Sequence, residues 1–133
     1  MLDILLVEDD RDLAATVIQY LELEGFRCDH ADNGVTALKF SQDNAYDAML
    51  LDLNLPDMSG TDILAKIKGS DGPVKRTPVV VLTTTDDSRE IQRCYDLGAN
   101  VYITKPVNYE SFAQAIRQLG LFLSVIQVPD VAD

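Results

Sequence analysis

Positive charge is scarce in this chain: 11 Lys and Arg stand against 22 Asp and Glu, a formal net charge of −11. Nucleic acids are held chiefly by Lys and Arg neutralising phosphates, so direct DNA or RNA binding is not expected. An anionic membrane surface is disfavoured on the same ground. Cysteine is sparse too. Cys28 and Cys94 are the only two and lack CxxC spacing, so neither a disulfide framework nor a zinc site follows from them. Two ordinary buried thiols are expected instead. No apolar run is long enough to cross a bilayer. Glu8, Asp9 and Asp10 cut the first apolar run short, which removes a signal-peptide pattern, and a cytoplasmic protein is the default expectation. That same Glu-Asp-Asp turn has no glycine, so a dinucleotide pyrophosphate would meet repulsion there.

What is present is apolar sequence in short blocks. The 133 residues are 47% apolar, enough to build a core within one domain of ordinary size. The runs Ile4 to Val7, Ala48 to Leu51, Val79 to Leu82 and Val101 to Ile103 read as strands buried on both faces. Phe26 to Ala31 is more polar and reads as an edge strand. Between them lie helical patterns. Leu13, Val17, Ile18 and Leu21 fall on one face of a helix ended by Gly25. Ala37, Leu38 and Ser41 mark a second helix after Gly34, and Ile63, Leu64 and Ile67 a third. Ile91, Tyr95 and Leu97 mark a fourth, closed by Gly98, and Phe112, Ala115, Ile116 and Leu119 a fifth. Strands alternating with helices predict a doubly wound α/β sheet.

In such a sheet the ligand site lies beyond the carboxyl ends of the strands. Strand 1 ends in Glu8 and Asp9, strand 3 in Asp52, strand 4 in Thr83, and strand 5 near Thr104, Lys105 and Pro106. One sheet edge thus collects three carboxylates, a hydroxyl and an ammonium. Carboxylates held close raise one another's pKa unless a positive group sits among them. An oxygen-only set with access to water suits Mg²⁺, or Mn²⁺. A carboxylate oxygen of Asp52 could then attack a phosphoryl group whose equatorial oxygens are held by the metal, Lys105 and Thr83. Relief of the same repulsion predicts that Asp9→Asn or Asp52→Ala stabilises the metal-free protein. Taken singly, each residue has an ordinary explanation; Asp10, for one, suits a helix N-cap.

The motifs together resemble the receiver domains of response regulators. Leu5-Leu6-Val7-Glu8-Asp9-Asp10 is similar to the first strand and acidic pair of that family, and Leu51 to Gly60 to its phosphoacceptor loop. Val81-Leu82-Thr83 resembles the switch-threonine motif, and Gly98 to Pro106 the closing strand with its Lys-Pro. The resemblance spans residues 3 to about 120 and implies a flavodoxin-like five-stranded parallel sheet in the order 2-1-3-4-5. It implies that Asp52 takes its phosphoryl group from a histidine kinase or a histidine phosphotransfer protein. Asp9, Asp52 and the backbone carbonyl of Asn54 would ligate the metal directly, with Glu8 acting through a bound water. Thr83, Thr84, Lys105 and Tyr102 would be the phosphate-binding and switch residues, and Lys105–Pro106 would be a cis bond. Asn54 and Thr85 would tune loss of the phosphoryl group. The output would be the surface of helix 4, strand 5 and helix 5, and the protein would signal by phosphotransfer rather than act as an enzyme.

Three readings stay open. A pseudo-receiver that docks without phosphorylation is the alternative function. The ten-residue connection Gly69 to Pro78 is long for its place, either a functional loop or a neutral insertion. The tail, 121–133, carries Leu121, Phe122, Leu123, Val125, Ile126 and Val128, with too many apolar sides for one stripe; it either forms a homodimer with helix 5 or folds back. The chain reads as one stand-alone domain, because 121–133 cannot supply a DNA-binding module.

Overall fold

The computed structural model describes residues 2–70, 73–84, 87–105 and 108–114. Strands β1 (Asp3–Val7), β2 (Arg27–Ala31), β3 (Ala48–Asp52), β4 (Val79–Thr83) and β5 (Val101–Thr104) alternate with helices α1 (Arg11–Leu23), α2 (Gly34–Asp43), α3 (Gly60–Lys68) and α4 (Ser88–Asp96). Residues 109–114 are helical and form α5 as far as it is described. Thr85, Pro106 with its expected cis bond, and the tail with its expected dimer contact lie outside the described residues. The strands form one parallel sheet in the order β2-β1-β3-β4-β5.

The central strands explain their own composition. Every residue of β3 and β4 is buried, because helices cover both faces of the sheet. Side chains alternate. Ile4, Leu6, Leu50 and Leu82 pack with Ala14, Val17 and Leu21 of α1 and Phe112 of α5. Leu5, Val7, Met49 and Leu51 pack with Ala37, Ile63, Leu64, Ile67 and Cys94 on the opposite face. Each such Leu or Ile contributes about 1.5–3 kcal/mol by leaving water. Strand β5 departs from the expectation of full burial. It is an edge, and Tyr102 and Thr104 are exposed.

Helix starts are set by short polar side chains. Asp10 accepts from the Leu13 N–H, Asn33 from Thr36, Ser59 from Asp62 and Asp87 from Arg89. Gly25, at φ 87°, and Gly98, at φ 109°, let the chain leave α1 and α4 through the left-handed region.

Two further local expectations are corrected. Helix α4 buries Cys94 and leaves Tyr95 40% exposed; a helix this polar has too few apolar positions to fix its phase. Cys28 is half-buried rather than buried, although burial still pushes its thiol up to about 12. The long connection holds a 3-10 turn, Pro73–Arg76. The Lys68 ammonium straps that turn to α3, donating to the carbonyls of Lys75 at 3.2 Å and Thr77 at 2.7 Å.

Candidate functional site

Sheet register brings the acids together. Leu6 of β1 sits opposite Leu50 of β3. Glu8 and Asp52 each follow by two residues, so they leave side by side on the α1–α5 face. Both are buried, at 0% and 1% exposure, whereas Asp9 is exposed on the turn. Carboxylate oxygens of Glu8, Asp9 and Asp52 lie within 4.8 Å of one another. The Lys105 N–H donates to the Thr83 carbonyl at 2.8 Å, which turns that residue back towards the sheet. Its ammonium stands 2.7 Å from Glu8 Oε1 and 3.1 Å from Asp52 Oδ1. The Asn54 N–H also donates to Asp52 Oδ1, at 3.1 Å.

Thr83 is buried at the end of β4, with Thr104 beside it in the ladder; Thr84 follows it, exposed. Tyr102 stands at the rim of the sheet, 38% exposed. Its ring meets Tyr95 edge-on, with centroids 6.0 Å apart. The structure therefore brings Glu8, Asp9, Asp52 and Lys105 into one cluster, whereas Tyr102 faces outward.

Burial is the largest influence on the Glu8 carboxyl. Opposed by the Lys105 ammonium and reinforced by Asp52, it raises Glu8 to about 7. Burial pulls Lys105 down, but Glu8 and Asp52 outweigh it, so its ammonium is held above the ordinary lysine value. Three carboxylates nevertheless face one ammonium, and the Lys105 ammonium that pairs with buried Glu8 Oε1 at 2.7 Å is shared with Asp52. This excess of hard oxygen, with Asp9 open to solvent, fits a divalent cation that keeps part of its water shell.

Sequence reasoning missed three contacts around the site. The loop after Asp52 is closed by the Gly60 N–H donating to the Leu53 carbonyl at 2.8 Å and by an Asn54–Ser59 bridge. A Cβ on Gly60 would collide with the Asp52 carbonyl oxygen and the Leu53 Cα. Asp57 accepts from the Gly34 N–H at 2.7 Å and the Val35 N–H at 3.0 Å, tying the loop to α2; these donors, Gly34 first, hold its carboxyl below the usual carboxylate range. His30 Nε2 lies 2.8 Å from the Glu8 carbonyl. The glycine of the loop was visible in its motif. The other two contacts depend on strand register and loop shape, which carry no local signal.

Residues 4–117 match the response regulator receiver domain family. The chain belongs to that family. A response regulator receiver domain from Rhodospirillum rubrum superposes with a TM-score of 0.75 at 50% identity, covering 92% of this chain and 94% of that one. The receiver domain of the sensor histidine kinase PA1611 from Pseudomonas aeruginosa, solved with a magnesium ion coordinated in its active-site cleft, gives 0.80 at 27% identity over 92% of this chain and 98% of that one. The uncharacterized transcriptional regulatory protein YkoG of Bacillus subtilis is 35% identical over 86% of this chain, which spans only 49% of its length. Receivers are signalling domains that take phosphoryl groups from histidine kinases onto an aspartate. No described helix of this receiver is long and apolar enough to cross a membrane.

Proposed function

We propose that this receiver accepts a phosphoryl group on Asp52 from a phosphohistidine of a histidine kinase or histidine phosphotransfer protein. The carrying observation is the convergence of Glu8, Asp9 and Asp52 within 4.8 Å around a lysine already engaged with two of them. Asp52 Oδ1 is occupied by Lys105 and the Asn54 N–H, so the attack is assigned to Oδ2. The new O–P bond forms as the P–N bond to the donor imidazole breaks, and the imidazole takes up a proton. Lys105 then follows the charge from Oδ1 to a phosphoryl oxygen. Asp9, Asp52 and the Asn54 carbonyl are the residues assigned to hold Mg²⁺ directly, with Glu8 behind a water. When bound, the metal neutralises charge on the transferring group. Thr83 and Thr84 are assigned to the phosphoryl oxygens. Tyr102, now outward, fills the space left as Thr83 moves, and so biases the α4–β5–α5 surface that a partner reads; couplings of this kind run to about 1–3 kcal/mol. A homodimer through α5 and the tail, and a cytoplasmic location, complete the reading. The docking-only alternative gains no support at a site whose acidic and basic members are all in place.

Intact mass after incubation with Mg²⁺ and acetyl phosphate tests this. One added phosphoryl group is expected, absent in Asp52→Ala and absent with chelator. A parent that gains no mass would overturn the proposal.

A further inference from the structure

The contact between His30 and the Glu8 carbonyl belongs to no role assigned so far. The β1–β2 ladder ends at the pair Val7 and Ala31, and the Glu8 N–H continues it by donating to the Ala31 carbonyl at 3.0 Å. In a parallel ladder the Glu8 carbonyl would next accept from the N–H two residues beyond Ala31. That residue is Asn33, which has left the strand to cap α2. The His30 imidazole stands in its place, with Nε2 at 2.8 Å. A carbonyl oxygen can only accept, so Nε2 carries the hydrogen and donates.

This bond acts on a particular peptide group. The Glu8 carbonyl and the Asp9 nitrogen share one rigid plane. Fixing that carbonyl fixes the direction in which exposed Asp9 leaves the strand. The side chain of Glu8 is tied separately, accepting from the Asp10 N–H at 3.2 Å. Resting on the metal-dependent reading above, we infer that His30 is a positioning residue for the cation site: its imidazole completes the β1–β2 ladder by side chain and orients the Glu8–Asp9 peptide towards Asp52. The imidazole lines a cavity of about 390 Å³ with Arg11, Ala14, Ala15, Ile18 and Asp32, so other side chains of similar length fit there.

Calorimetric titration of Mg²⁺ into the parent, His30→Phe and His30→Gln decides this, with metal-free melting temperatures measured alongside. Partners one step removed from a metal typically alter affinity ten- to a hundredfold. A contact made through backbone belongs at the low end, so His30→Phe is expected to bind Mg²⁺ about tenfold more weakly. His30→Gln, whose amide nitrogen reaches the same point, is expected to recover most of that loss. If His30→Phe does not fold, His30→Asn, too short to reach the carbonyl, takes its place. Equal affinity in parent and donor-less variant would overturn the inference, as would a folded Gln variant no better than the Phe variant. A parent that binds no Mg²⁺ would overturn the metal reading and this inference together.

Discussion

At the scale of single residues, the site divides its electrostatic work. Asp52 is steadied through Oδ1 by Lys105 and the Asn54 N–H, while Glu8 next to it carries the cost of burial. Both depend on how closely the backbone after Asp52 can fold over itself, and two glycines separate that requirement from ordinary packing. A methyl on Gly60 meets the backbone of Asp52 and Leu53; one on Gly34 meets Cγ and Sδ of the Met58 side chain and Cδ1 of Ile63. Backbone cannot step aside, whereas a methionine can turn. Gly60→Ala is therefore expected to cost about 3 kcal/mol and Gly34→Ala about 1 kcal/mol, the two ends of the range for overpacked sites. Urea midpoints of the two variants check this, and the reverse order would refute it.

At the scale of elements, helix α2 starts on two side chains from different parts of the chain, its own Asn33 and Asp57 of the acceptor loop. Asp57→Ala should lower the melting temperature at neutral pH by loosening both elements. The Asp57 carboxyl is held below its ordinary value of 3.8, so its contribution is present above that value and is lost as pH falls through the depressed folded value. The gap between parent and Asp57→Ala should thus close in acid; a gap that widens there would contradict the cap. Elements such as β1, β3 and β4, and the cap at Asp10, were legible because they follow from local pattern. The phase of α4 was not, since one apolar residue more or less decides which side Cys94 and Tyr95 face. Glu8, Asp9, Asp52 and Lys105 were legible as strand-end residues, and the structure brings them together. The contacts of His30 and Asp57 were hidden, because they join residues 22 or more positions apart through register alone.

At the scale of the whole molecule, stability and metal binding oppose each other. Asp9→Asn removes one of the clustered charges at its exposed member and should raise metal-free stability by about 1 kcal/mol or less. Asp52→Ala is the poorer test, because it also strips Lys105 and the Asn54 N–H of a partner. With Mg²⁺ at about a hundredfold over its dissociation constant the parent gains about 2.7 kcal/mol, and the order of melting temperatures should invert. Thermal melts with chelator and with Mg²⁺ read both outcomes; a variant that melts lower in chelator would remove the repulsion argument. The aromatic rim has a separate consequence. The chain contains no tryptophan and five tyrosines, and two of them, Tyr95 and Tyr102, meet edge-on at 6.0 Å where α4 faces β5. Neighbouring phenol rings in fixed orientation couple their ultraviolet transitions, and no indole band masks them. On the proposed reading, a turn of Tyr102 away from Tyr95 breaks that coupling, and the tyrosine band would report it as a change against the contribution of the other edge-on pair, Tyr20 and Tyr109.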